Sequence, residues 1–385
     1  MGQAGAAQAI FEEQPSIHEF LNLCTEIDIA QHPQAQRWGL ALLKDGDFQE
    51  RWRLAKIFPK LGEAAIAPVL EIAEDPQQDV ELRWFAIRIL GQYKEPQAIA
   101  RLIVLLDDCR EEFLAEEIMR ALVELQEAAT DYVLPLLAQA ETRLLAVRAL
   151  CKIRYPNVVE PLLSVVHDDN PDIRALSIET LGSFRHYRIF TVLIGALKDP
   201  ASSVRLEAVN ALGFWANYAE KELILCHVQP LLHDINLEVC RQASFTLSRL
   251  QIPEAATAIA TVLQQSTTPL ALQVEFVQAL AWIDDPSSLD YLAQTLKTAG
   301  DNLTLAILKV MGRITEAPRK KQGAYILLDF WQRQKLRDSA CRQAFVYTLG
   351  QLQQRESGHL LEQLSEDTDE SIRLHAIAAL RKLTT

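Results

Sequence analysis

Asn170-Pro171-Asp172-Ile173-Arg174, running on to Leu181-Gly182, is restated 31 residues later as Ser203-Val204-Arg205, running on to Leu212-Gly213. Between the two copies, Tyr187 to Leu197 is a second apolar-periodic run that stops at Lys198-Asp199-Pro200. Val204, Ala208, Val209, Ala211 and Leu212 recur three and four residues apart, the spacing of one face of an α-helix. Helix starts are marked by a short polar residue beside proline, as in Asn170-Pro171, Asp199-Pro200 and Asp285-Pro286. A pair of helices this small cannot bury its own apolar stripe, so each pair needs a neighbour stacked on it.

Followed outward, the pattern keeps a small or apolar residue near the middle of each second helix. These are Ala55, Ala86, Ile118, Ala146, Ser177, Ala208, Ala243, Phe276, Ile307, Phe345 and Ala376. The steps between them are 31, 32, 28, 31, 31, 35, 33, 31, 38 and 31 residues. A repeat of this period specifies architecture before chemistry. The expectation is an all-α, right-handed superhelix of about eleven helix pairs over residues 46–385. A helical cap at 15–45 and a flexible stretch at 1–14 precede it. The two longest steps mark insertions, and the second holds Pro318-Arg319-Lys320-Lys321, a local basic cluster.

Bulk properties agree with this reading. Gly (14) and Pro (16) are scarce for 385 residues, which argues against a sheet with many hairpins. A net charge of −13 makes nucleic acid a poor default partner, since phosphate needs a concentrated basic surface. Six dispersed cysteines fit a reducing compartment. Met1-Gly2-Gln3-Ala4 lacks the basic start of a signal peptide, and no apolar run reaches the ~18 residues of a membrane span. The chain is expected to be cytoplasmic, without membrane insertion.

Val204-Arg205…Ala208…Ala211-Leu212-Gly213 and Ile372-Arg373…Ala376…Ala379-Leu380 resemble the HEAT repeat, most closely the short form found in phycobilisome (PBS) lyases. The resemblance covers about residues 48–383 and implies an α-solenoid that holds a partner protein against its concave face. It also implies two functional alternatives. One is a non-catalytic scaffold or chaperone for a phycobiliprotein or an iron–sulfur carrier, since the layout is similar to a HEAT protein associated with an A-type carrier. The other is a bilin lyase or bilin chaperone that attaches a tetrapyrrole to a phycobiliprotein cysteine. Deoxyhypusine hydroxylases share the repeat but present several His-Glu pairs, whereas this chain has only His18-Glu19, in the cap.

Four groups of residues compete for a role. Arg143, Arg174, Arg205, Arg342 and Arg373, with Arg83, form a column at the start of the second helices. The resemblance implies that each pairs with an acid near the preceding turn, with Glu81, Asp172, Asp199 and Asp369 as candidates. The column is read either as a salt-bridge ladder or as an anion-binding stripe. Arg37-Trp38, Arg51-Trp52-Arg53 and Arg83-Trp84 repeat an Arg-Trp pair that serves as core or as a partner-binding or tetrapyrrole-stacking face. Arg319, Lys320 and Lys321 join Arg51, Trp52, Arg53, Arg83 and Trp84 as candidate partner contacts. Cys226, His227, His233 and Cys240 carry ligand atoms suited to a metal or a bridging iron–sulfur cluster, although their spacing matches no standard motif. Cys240 and Cys341 each start a Cys-Arg-Gln-Ala helix, where adjacent positive charge lowers a thiol pKa. Glu111-Glu112 and Glu116-Glu117 read as a solvated face, and no nucleotide loop or hydrolase motif is present.

Overall fold

The computed structural model describes residues 15–26, 29, 33–125, 133–154, 156–333 and 336–384. The expected flexible stretch, 1–14, lies outside them. Every regular element among the described residues is helical, and the fold is an all-α HEAT-type solenoid. The chain divides into two compact units, Met1–Phe184 and Arg185–Thr385.

The first unit runs α1 (Ile17–Glu26), α2 (Pro33–Asp45), α3 (Phe48–Ile57), α4 (Ile66–Glu74), α5 (Val80–Leu90), α6 (Pro96–Asp108), α7 (Glu112–Leu125), α8 (133–137), α9 (Ala140–Ile153), α10 (Val159–Ser164) and α11 (Pro171–Leu181). The second runs α12 (Tyr187–Ala196), α13 (Ser202–Trp215), α14 (Lys221–Val228), α15 (Leu237–Ser248), α16 (Pro253–Leu263), α17 (Leu270–Trp282), α18 (Pro286–Leu296), α19 (Asp301–Met311), α20 (Ala317–Arg333), α21 (Ser339–Leu352), α22 (Gly358–Leu364) and α23 (Glu370–Thr384).

Caps fix where the second helices begin. Asp47 accepts from the Glu50 amide at 2.9 Å while the Glu50 carboxylate accepts from the Asp47 amide at 2.9 Å, a closed capping box. Asp79 and Asp338 accept from the amides three residues on, Leu82 and Cys341. Each second helix then buries its apolar face on the next one along: α3, α5 and α7 form one such row, and α13, α15, α17 and α19 another. The helices approach closely where the repeat places glycine. A methyl group on Gly91 would sit 2.5 Å from the Ala121 Cβ and 3.0 Å from its Cα, and one on Gly350 would sit 2.7 Å from the Ala379 Cβ. Gly91→Ala is therefore expected to cost about 1–3 kcal/mol by overpacking, read as a lower urea midpoint at unchanged slope.

Candidate functional site

The arginine column draws on the same two kinds of acceptor, carbonyls and carboxylates, in both units. Arg83 donates from Nε to the Ala73 carbonyl at 3.2 Å and from Nη1 to Glu111 at 3.1 Å. Arg143 donates to the Leu137 carbonyl and the Asp168 carboxylate. Arg205 reaches the Asp199 and Pro200 carbonyls through Nη1 and grips Asp234 through Nε and Nη2, both at 2.7 Å. Arg174 donates to the carbonyls of Asp168 and Asp169, Arg373 to those of Asp367 and Thr368, and Arg342 to the Asp367 carboxylate. The preceding turn thus supplies carbonyl oxygens, and the carboxylate comes from the following pair. This corrects the expected partners: Asp199 gives its carbonyl to Arg205, Asp369 accepts from Ser339, and Glu81 accepts from Arg51 of the pair before it.

Arg51 itself belongs to this column. Its guanidinium donates to the Leu43 and Lys44 carbonyls and to Glu81 at 2.8 Å. The bonds fasten α2 to α3 as the later arginines fasten their own pairs, so α2 and α3 form a pair built like those that follow. Arg51 and Arg83 are thereby engaged internally, while Arg53 is exposed.

The acidic end of the ladder is the aspartate that closes each first helix. Asp168, Asp199, Asp234 and Asp367 each accept from the amide two residues on, at 2.8–2.9 Å, which shapes the turn into the second helix. Burial works to raise the Asp234 carboxyl, but the Arg205 guanidinium and the Asn236 amide outweigh it and hold the group below the usual carboxylate range. Cys240 occupies the arginine's place in its own pair. Its thiol donates to the Asp234 carbonyl at 3.1 Å, as Arg205 donates to that of Asp199.

The expected acidity of the thiols is reversed: burial pushes both Cys240 and Cys341 up to about 11. Cys226, His227 and His233 do meet, in a surface depression of about 600 Å³ that also contains Arg205 and Asp234, but Cys240 does not line it. Among the described residues no group of three or more His, Cys, Asp or Glu side chains is placed to hold a metal ion. The expected cluster ligands therefore do not fit such a group. The basic cluster is divided as well. Arg319 turns inward to Asp284 (3.3 Å) and the Ser288 hydroxyl (3.2 Å), and Lys321 lies over the Tyr325 ring.

The tryptophans form a row across three successive second helices. Phe48 stacks on Trp52 (ring centroids 6.2 Å apart), Trp52 on Trp84 (6.2 Å, interplanar angle 14°), and Trp84 on Phe113 (5.9 Å). Phe85 closes the row edge-on at 4.9 Å from Trp84. Trp84 is buried, whereas the two ends of the row, Phe48 (47 %) and Phe113 (55 %), are open to solvent. The Arg88 guanidinium lies 4.4 Å from the Trp52 ring centre and donates to Glu117 at 3.0 Å. Glu117 also accepts from Arg120 at 2.8 Å, is almost fully buried, and has its carboxyl raised by that burial. The expectation of a solvated acidic face holds at Glu111, Glu112 and Glu116, which are exposed although Arg83 engages Glu111, and fails at Glu117, which α7 buries against Arg88 and Arg120. Arg88 and Phe113 were missed by sequence reasoning, and Glu117 was read only as part of the acidic face.

Residues 36–123 and 130–213 match the family model described as HEAT repeats. No curated protein matches the chain. Among solved structures it is similar to a homology model of the full-length AP-3 complex, at 11% identity over 97% of this chain and 82% of that one, with a TM-score of 0.53. It is also similar to the karyopherin Kap121p bound to the extreme C-terminus of the phosphatase Cdc14p, at 14% identity over 95% of this chain and 51% of that one, with a TM-score of 0.50. Human deoxyhypusine hydroxylase is 20% identical over 71% of this chain and 97% of that one, at a TM-score of 0.29. The first two likenesses, at these identities, speak for the fold alone. Among the described residues no helix is long and apolar enough to cross a membrane.

Proposed function

We propose that the chain is a non-catalytic protein-binding scaffold or chaperone, and that the aromatic row of the first unit is its contact surface. One observation carries this reading: a row of rings is locked by packing at its centre and open to water at Phe48 and Phe113. Rigid aromatic groups at the surface lose little entropy on binding and make good anchors. The resemblance supports an iron–sulfur carrier or a phycobiliprotein as the partner. All six cysteines are unpaired, which supports a reducing, cytoplasmic setting.

The test is affinity capture from an extract of the source cell with immobilised wild-type protein and with Phe48→Ala/Phe113→Ala. The wild type is expected to retain a specific protein, and the variant to lose most of it while still unfolding cooperatively. Equal capture by both would remove the row from the binding surface. Bilin attachment is favoured only by the stacked, near-parallel Trp52 and Trp84 rings, which suit a flat conjugated ligand. An unchanged absorbance spectrum on adding free bilin excludes it.

A further inference from the structure

The second unit carries a different surface, which stands whether or not the first unit's aromatic row binds anything. Phe214 lies near the end of α13, Arg249 just past α15, Trp282 at the end of α17 and Arg313 just past α19. These four helices are successive neighbours. The four side chains therefore form a stripe along one edge, alternating ring, guanidinium, ring, guanidinium. Contacts tie it together. The Arg249 guanidinium lies 5.0 Å from the Phe214 ring centre and crosses Gly213, with Nη1 3.4 Å from where a Cβ would stand. Phe245 packs on Trp282 at 5.2 Å. Trp282 and Arg313 line one recess of about 240 Å³. Phe214 is 58 % exposed and Trp282 62 %.

Two facts separate these arginines from the ladder. Neither Arg249 nor Arg313 is paired with a carboxylate among the described residues, whereas Arg205 and Arg342 of the same unit are. Glu316 shares the recess with Arg313, but its carboxylate accepts from the Thr315 hydroxyl at 3.0 Å. The stripe is thus a locally cationic, ring-bearing edge on a chain of net charge −13.

We propose that this edge binds an extended peptide whose acidic and apolar side chains alternate every third residue. Packed helices lie about 8–10 Å apart, and a ligand in the extended polyproline II conformation advances about 3.1 Å per residue with three residues per turn, so every third side chain falls on the same face at about that spacing. The matching pattern is apolar-x-x-acidic-x-x-apolar-x-x-acidic, with the apolar groups on Phe214 and Trp282 and the carboxylates on Arg249 and Arg313. Single-stranded nucleic acid also uses rings and arginines. It carries a phosphate at every nucleotide, however, and two guanidiniums two helices apart neutralise too few of them against the chain's own negative field. A peptide with two carboxylates meets both guanidiniums at a much lower total charge.

The test is fluorescence anisotropy of a labelled peptide with this three-residue alternation, titrated with the full chain. Peptides of the same composition with two- or four-residue alternation are expected to bind at least about tenfold more weakly. Trp282→Ala is expected to weaken binding about tenfold or more, as for a central aromatic anchor. Arg249→Glu with Arg313→Glu should weaken it further, with unchanged thermal unfolding because these side chains are at the surface. Equal binding of all spacings, indifference to Trp282→Ala, or displacement of the peptide by an equimolar oligothymidylate would each overturn the proposal, the last in favour of a nucleic-acid surface.

Discussion

Arg205→Ala lowers the stability of the second unit by about 3–5 kcal/mol, the cost of leaving one member of a buried ion pair without its partner. The magnitude follows from what the guanidinium does: four bonds of 2.7–3.0 Å link the Asp199–Pro200 turn of its own pair to Asp234 of the next. Both side chains are about nine-tenths buried, so water cannot replace the lost partner. Arg205→Lys keeps the charge but cannot form the two-pronged contact, and recovers only part of the loss. Removing Asp234 as well costs less than the sum of the single changes, which a double-mutant cycle in urea measures. The pH dependence has a definite sign. The folded-state Asp234 carboxyl is held below its ordinary value, so its contribution is fully present above about pH 4, the unfolded value, and is lost as pH falls through the lower folded value. Arg205→Ala reduces that acid-side slope to what the Asn236 amide supports, whereas an unchanged slope would mean that the ladder is only a surface decoration.

Trp84→Ala destabilises the first unit by a similar amount, about 3–5 kcal/mol for truncating a buried aromatic side chain. Trp84 is 8 % exposed and contacts Trp52, Phe85 and Phe113, so its loss opens a cavity under the row and releases both ends. Trp52→Ala, at a half-buried site, costs less. Urea unfolding of the two variants, followed by far-UV circular dichroism, gives the comparison. Equal effects would mean that the row is not anchored at Trp84.

The helices were legible because the apolar period and the polar-Pro starts of residues 170–215 recur along the chain and describe the same local physics in each copy. What the period cannot say is which copy a side chain reaches. The arginine column was visible, but the Arg83–Glu111 and Arg205–Asp234 bonds cross from one pair to the next, so the preceding-turn acids were the wrong partners. Arg51 was hidden by register. It stands four residues before Ala55, where the later arginines stand three before their own small residue, and its bonds alone place it in the ladder. Cys240 misled for the opposite reason: it sits in register, and the register makes it a buried replacement for arginine, with no exposed thiol to offer a metal. Glu117 required knowledge of what lies across the helix interface, namely Arg88, and no spacing along the chain records that. The Arg-Trp pairs were the informative signal for the candidate site, with their two halves doing separate jobs: Arg51 and Arg83 hold the pairs together, while Trp52 and Trp84 build the row.

Site-specific photo-crosslinking tests that division of labour most directly. A benzophenone side chain is placed at Phe48, at Phe113, or at Leu374, which is also open to solvent but belongs to α23 of the second unit. The full chain is then irradiated in an extract of the source cell. If the aromatic row is the contact surface, one protein is crosslinked from both position 48 and position 113 and not from position 374. Crosslinking from position 374 with none from either end of the row would contradict the account.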